Sequence, residues 1–201
     1  MKRHIRRIAL VAFVVACFYG WGIVTDSQAL RDQLLRLHVV GASDSEEDQQ
    51  VKLLVRDAVL QSLEEGLQDL TDPQAAYDYV ARMLPEVEAA ANRCLEAAGF
   101  TDTVAVSLTE EGFPTREYDT FSLPAGVYKA LRVVIGQGEG KNWWCVVFPQ
   151  LCMSGEDFVE TAAVSGLDET LAGTLEGEYE LRFWLLEKLG ELKNHFFDAS
   201  E

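Results

Sequence analysis

The apolar positions of this chain change period along its length, and each change marks an element. From Leu34 to Val40 they alternate. Leu35, Leu37 and Val39 share one face of the predicted strand, and Arg36 and His38 share the other, polar one. After Gly41-Ala42 the period becomes helical, with Val51, Leu54, Val55, Ala58, Leu63 and Leu67 on one stripe. Ser43-Asp44-Ser45-Glu46 reads as the capping box that starts this helix, and the acids that follow suit the positive end of its dipole. Thr71-Asp72-Pro73-Gln74 opens a second helix along Tyr77, Val80, Leu84, Val87, Ala91, Cys94 and Ala98. Pro85 is expected to kink or split it, and Gly99 to close it.

The period then returns to two. Val104, Val106 and Leu108 predict a half-buried strand that turns at Glu110-Glu111-Gly112. Phe113 to Leu123 is poorly patterned, with room for one short strand. Val127 to Ile135 and Trp143 to Phe148 read as two more strands, joined by the glycine-rich loop Gly136–Asn142 as a hairpin and stopped by Pro149. Residues 154–178 are acidic and weakly patterned, which suggests a mobile excursion. Tyr179 to Phe197 reads as a last amphipathic helix. Strand, two helices, a run of strands and a helix imply an α+β fold: a mainly antiparallel sheet of about four strands covered by helices, in one domain over 30–201.

Residues 1–29 are a different material. Lys2, Arg3, Arg6 and Arg7 precede Ile8–Val24, seventeen residues without a charge, and then Ser27-Gln28-Ala29. This is the pattern of a secretory signal peptide. Two alternatives stay open. At about 1.5 Å per residue the apolar run spans roughly 25 Å, slightly short of a bilayer core, so it could serve as an uncleaved anchor. Val14-Val15-Ala16-Cys17 resembles a lipobox, which would make the chain a lipoprotein held by Cys17. All three readings place the body outside the cytoplasm, touching the membrane only through this segment.

Composition narrows the function. The 201 residues carry 17 Lys and Arg against 33 Asp and Glu, a net charge of −16. Such acidity argues against nucleic acid as a partner and against docking on an anionic membrane by charge. Of three His, His4 lies in the leader, leaving His38 and His195. There is no H-E-x-x-H, C-x-x-C or G-x-S-x-G pattern, so no metal or other cofactor is expected. Gly136-x-Gly138-x-Gly140 contains Glu139 and leads into a strand, unlike a phosphate loop. Cys145 and Cys152 flank Pro149 and could form a disulfide in an exported body or remain thiols. A thiol-dependent hydrolase using Cys145 with His38 as base is the competing enzyme class. Trp143-Trp144 is the most unusual feature. On a strand one of the two must leave the core face, either as a protein-binding anchor or under other elements.

Arg36-Leu37-His38-Val39-Val40, Ser43-Asp44-Ser45, Asp48-Gln49 and Val55-Arg56-Asp57 resemble the N-terminal signature of the stage II sporulation protein R family. Phe113-Pro114-Thr115-Arg116, Leu123-Pro124-Ala125-Gly126-Val127-Tyr128 and Asn142-Trp143-Trp144-Cys145-Val146-Val147-Phe148-Pro149 resemble its central signature, and Cys152 falls at its second Cys. Tyr179–Trp184 is similar to the family's last helix. Gly41-Ala42 and Gln150 depart from the pattern, and the acidic stretch has no match in it. The resemblance implies a non-enzymatic sporulation signal. Such a protein is exported across the forespore membrane into the space facing the mother cell. There it is needed by a membrane-embedded aspartic protease, stage II sporulation protein GA, which processes pro-sigma factor E. The expected contact residues are Asn142, Trp143 and Trp144, with the strand face of Arg36 and His38 next.

Overall fold

A computed structural model describes residues 28–117 and 122–149. The leader, the acidic stretch, the expected last helix, Cys152 and His195 lie outside the described residues. The α+β architecture is as expected. Residues 28–33 are helical. They lead into β1 (Leu35–Val40), α1 (Glu46–Leu67), α2 (Pro73–Ala97), β2 (Val104–Phe113), the two-residue strands β3 (Arg116–Glu117) and β4 (Ser122–Leu123), β5 (Gly126–Ile135) and β6 (Asn142–Phe148). Among the described residues no helix is long and apolar enough to cross a membrane.

Four strands form one sheet in the order β2-β5-β1-β6, and β3 pairs with β4 apart from it. Two pairings are antiparallel, β2 with β5 and β1 with β6, while β1 and β5 run parallel. The sheet is therefore mixed. β5 and β6 are not a hairpin, because β1 lies between them and the glycine-rich segment crosses the end of β1. β2 also runs on through the expected turn at Glu110-Glu111-Gly112, since Glu110, Glu111 and Gly112 pair with Lys129, Tyr128 and Val127.

α1 and α2 cover one face of the sheet. Val51, Val55, Val59, Leu63 and Leu67 recur every fourth residue along α1 and are buried, whereas Leu54 is 52% exposed. They meet Ala76, Val80, Val87, Ala91 and Leu95 of α2 and Leu37, Val39, Leu131, Val133 and Val147 of the sheet in the main core. The cap of α1 sits two residues later than the pattern suggested. Ser45 accepts from the Asp48 amide, and Ser43 instead donates its hydroxyl to the Asp48 carboxylate. α2 starts on Asp72, whose side chain accepts from the Ala75 amide. It continues unbroken past Pro85. Pro85 lies on the exposed side, where the Ala81 carbonyl that loses its donor can turn to water. Gly99 closes the helix at φ +86°. Cys94 is a free thiol at the core's margin, its acidity lowered by burial and by Asp57.

Side chains of α2 occupy the outer edge of β2. Asn92 accepts from the Val104 amide at 2.8 Å and donates to its carbonyl at 3.0 Å, and Glu88 accepts from the Val106 amide at 3.1 Å. Asn92 thus takes the place of a neighbouring strand for one residue. Asn92→Ala would strip both backbone groups of buried Val104, at a cost of about 1–3 kcal/mol. The urea midpoint should fall accordingly, and an unchanged midpoint would show the contact to be dispensable.

The second face is also covered. Leu30, Leu34, Phe113, Leu123, Tyr128, Ala130 and Val146 form a smaller core there. All six residues of β1 are buried, so the strand has no exposed polar face. Arg36 and His38, expected on an open surface, are 0% and 6% exposed.

Candidate functional site

Strand alternation sends the two tryptophans of β6 to opposite faces. Trp143 stands opposite Val39 on the helix-covered face. It lies at the margin of α1, 36% exposed, with the Arg56 guanidinium 4.5 Å from its ring centroid. Trp144 stands opposite His38 and stacks on it, with centroids 3.9 Å apart and planes inclined by 18°. Phe113 meets Trp144 edge-on at 4.7 Å. Trp143 is thus the outward indole, and Trp144 belongs to the second core.

Beside Trp144 lies a polar network. Glu111 reaches across the sheet to His38, Oε1 lying 3.0 Å from Nδ1, and its Oε2 is 3.6 Å from Arg132 Nη1. The other ring nitrogen, Nε2, is 2.8 Å from Oδ1 of Asn142. With Nδ1–H donated to the carboxylate, the Asn142 amide can turn to serve either protonation state of Nε2. Deeper in, the Arg36 guanidinium sits 4.2 Å from the Phe113 centroid and 5.0 Å from that of Tyr128. Its Nε donates to the Cys145 carbonyl at 3.4 Å. A cation held this way shapes the core and is not presented to a partner.

The geometry separates the residues of the competing enzyme reading. Cys145 stands opposite Leu37 and packs in the helix-side core, while His38 faces the other way. Both ring nitrogens of His38 already have partners. A thiolate and its base must lie within hydrogen-bond reach, and these two are divided by the sheet. Among the described residues no group of three or more His, Cys, Asp or Glu could hold a metal ion.

The glycine-rich segment is a clasp rather than a free loop. The Glu139 amide donates to the Ala42 carbonyl at 3.3 Å, and the Gly140 amide to that of Gly41 at 2.9 Å. The Lys141 amide donates to Asp44 Oδ1 at 2.8 Å. A Cβ on Gly140 would stand 2.3 Å from the Ser43 carbonyl oxygen, so this position admits only glycine. Lys52 of α1 closes the clasp from below, donating to the Lys141 carbonyl at 2.9 Å and to Gln49 Oε1 at 2.6 Å. Gln49 in turn donates to the Ser43 carbonyl at 2.7 Å. Reading by segment misses this arrangement. The available signals were a lysine beside an apolar stripe and two turn-rich segments of unmatched purpose.

Burial pushes the Lys52 ammonium below its ordinary value; Asp44 offsets this in part and Lys141 adds to it. The unfolded chain therefore holds this proton to higher pH than the folded one. Its contribution to stability rises with pH from the folded-state value up to the ordinary lysine range. Urea midpoints across the alkaline range should show that rise in the native chain relative to Lys52→Met. Parallel pH profiles would contradict it.

The span from β1 to the end of β6 also matches known proteins. The family model described as stage II sporulation protein R matches residues 31–157. The chain belongs to the stage II sporulation protein R family. A relative named stage II sporulation protein R, from Bacillus subtilis (strain 168), is 36% identical over 147 residues. That alignment covers 73% of this chain and 65% of the relative. No solved structure matches the chain. The matched span takes in both clasp segments, both tryptophans and the His38–Glu111 pair, and the family's name supports a sporulation role for the chain.

Proposed function

We propose that this chain is an exported sporulation signal that acts by protein contact. Made in the forespore, it crosses the forespore membrane and triggers the membrane-embedded aspartic protease stage II sporulation protein GA. The protease then processes pro-sigma factor E in the mother cell. The observation that carries the reading is Trp143, an exposed indole on the rim of a rigid sheet with its neighbour Asn142 anchored to His38. Aromatic anchors on pre-formed surfaces are the usual centres of protein recognition. The basic, apolar leader supports export, and the family supplies the sporulation context.

Co-expression of the full chain with the protease and its pro-sigma substrate in a non-sporulating host tests the reading. Processing should require all three, and should fail without the leader. Processing that is equal with and without this chain would overturn it. In the exported form, Cys145 and Cys152 are proposed to be joined. The short loop would contribute about 2–3 kcal/mol by the loop-closure relation. Alkylation without reduction should then leave both unlabelled, and full labelling of the pair would count against the bridge.

A further inference from the structure

Gln49, Lys52 and Arg56 are spaced three and four apart, so they form one row along α1. This row meets the chain just where β6 begins. Gln49 holds the Ser43 carbonyl, Lys52 holds the carbonyl of Lys141, and Arg56 lies over Trp143. From the opposite face His38 holds Asn142. Residues 141, 142 and 143 are thus gripped in succession from both sides of the sheet. We propose that Lys52 and Arg56 are positioning residues that fix the Trp143 indole in one orientation for a protein partner. This rests on the reading of Trp143 as the anchor.

Stability alone does not account for Lys52. It is 4% exposed, next to a stripe of buried aliphatic residues, where an ammonium is costly. The carbonyl it serves, that of Lys141, also accepts from the Gly41 amide at 3.4 Å, so it keeps a donor without Lys52. What its bond to Lys141, steadied by Gln49, accomplishes is to fix the residue that precedes Asn142 and Trp143. Arg56 acts on the ring itself. Its guanidinium is braced by Asp57, with Nη2 2.7 Å from Oδ1, while its Cζ stands 4.5 Å from the indole centroid on one side of the ring. The residue keeps 36% of its surface exposed, and that is the surface offered to a partner. An anchor that is already ordered avoids the entropy loss of being ordered on binding, which corresponds to roughly a 2- to 10-fold gain in affinity.

The test uses the full chain labelled with 5-fluorotryptophan, whose Trp143 and Trp144 resonances are assigned from Trp143→Phe and Trp144→Phe. Lys52→Met and Arg56→Gln should each shift or broaden the Trp143 line and leave the Trp144 line in place. Each should raise the amount of chain needed for half-maximal processing by roughly 2- to 10-fold. Lys52→Arg, which can still donate, should restore most of both. Arg56→Gln leaves the clasp intact and keeps the test open if Lys52→Met fails to fold. A Trp143 line unchanged in Arg56→Gln and in any folded Lys52→Met overturns the positioning role. A displaced line with undiminished processing in both these variants and Trp143→Ala overturns the anchor reading instead.

Discussion

Trp143→Ala is expected to lower processing of the pro-sigma substrate by roughly 30- to 1,000-fold in the dose of chain required. That range corresponds to the loss of about 2–4 kcal/mol when a central aromatic anchor is truncated. The fold should survive, because the indole stands at the margin of the helix-covered face and 36% of its residue surface is exposed. Export level and urea midpoint should therefore stay close to those of the native chain while signalling falls. Normal processing by a folded, exported Trp143→Ala chain would remove the rim of β6 as the recognition surface.

The adjacent substitution should have the opposite character. Trp144 fills the space over His38 and against Phe113, within the second core. Trp144→Ala opens a cavity there and is expected to cost about 3 kcal/mol, the lower end of the range for large aromatics because the residue is only partly buried. It also uncovers one face of the His38 ring, which then keeps Glu111, Asn142 and an edge-on contact with Phe113. The urea midpoint should drop sharply, and signalling should fall in proportion to the folded fraction. A midpoint within error of the native value would show that the second face does not depend on this stack.

The sequence pattern made some of this legible. Alternation found β1, β2 and β5, an unbroken apolar run ended by Pro149 marked β6, and the two-residue period of a strand required the two tryptophans to part. The helical stripes found α1 and α2, with Asp72, Pro73 and Gly99 marking the ends of the second. Strand order was hidden, because adjacency depends on residues far apart in the chain. The burial of Arg36 and His38 was hidden for the same reason. Their aromatic and carboxylate partners, Phe113, Tyr128, Trp144 and Glu111, come from other strands, and a strand read alone shows only its polar letters. Glu110-Glu111-Gly112 looked like a turn because local chemistry favours one. Pairing with β5 and the reach of Glu111 to His38 outweigh that preference. The clasp was hidden as well, since neither loop contains any mark of the other.

The position of β1 bears on when the domain can form. Among the described residues it is the first strand in chain order, yet both its neighbours come late: His38 meets Asn142 across 104 residues of chain. Until β5 and β6 have been synthesised, β1 has no partner on either side, and the row on α1 has no clasp to close. Such distant pairings make a sheet slow to assemble. On the export route proposed above, a chain leaving the ribosome would stay open through most of its synthesis, which suits passage across a membrane as an extended thread. On that proposal the rim of β6 carrying Trp143 would form only on the far side, once the last of these strands has arrived.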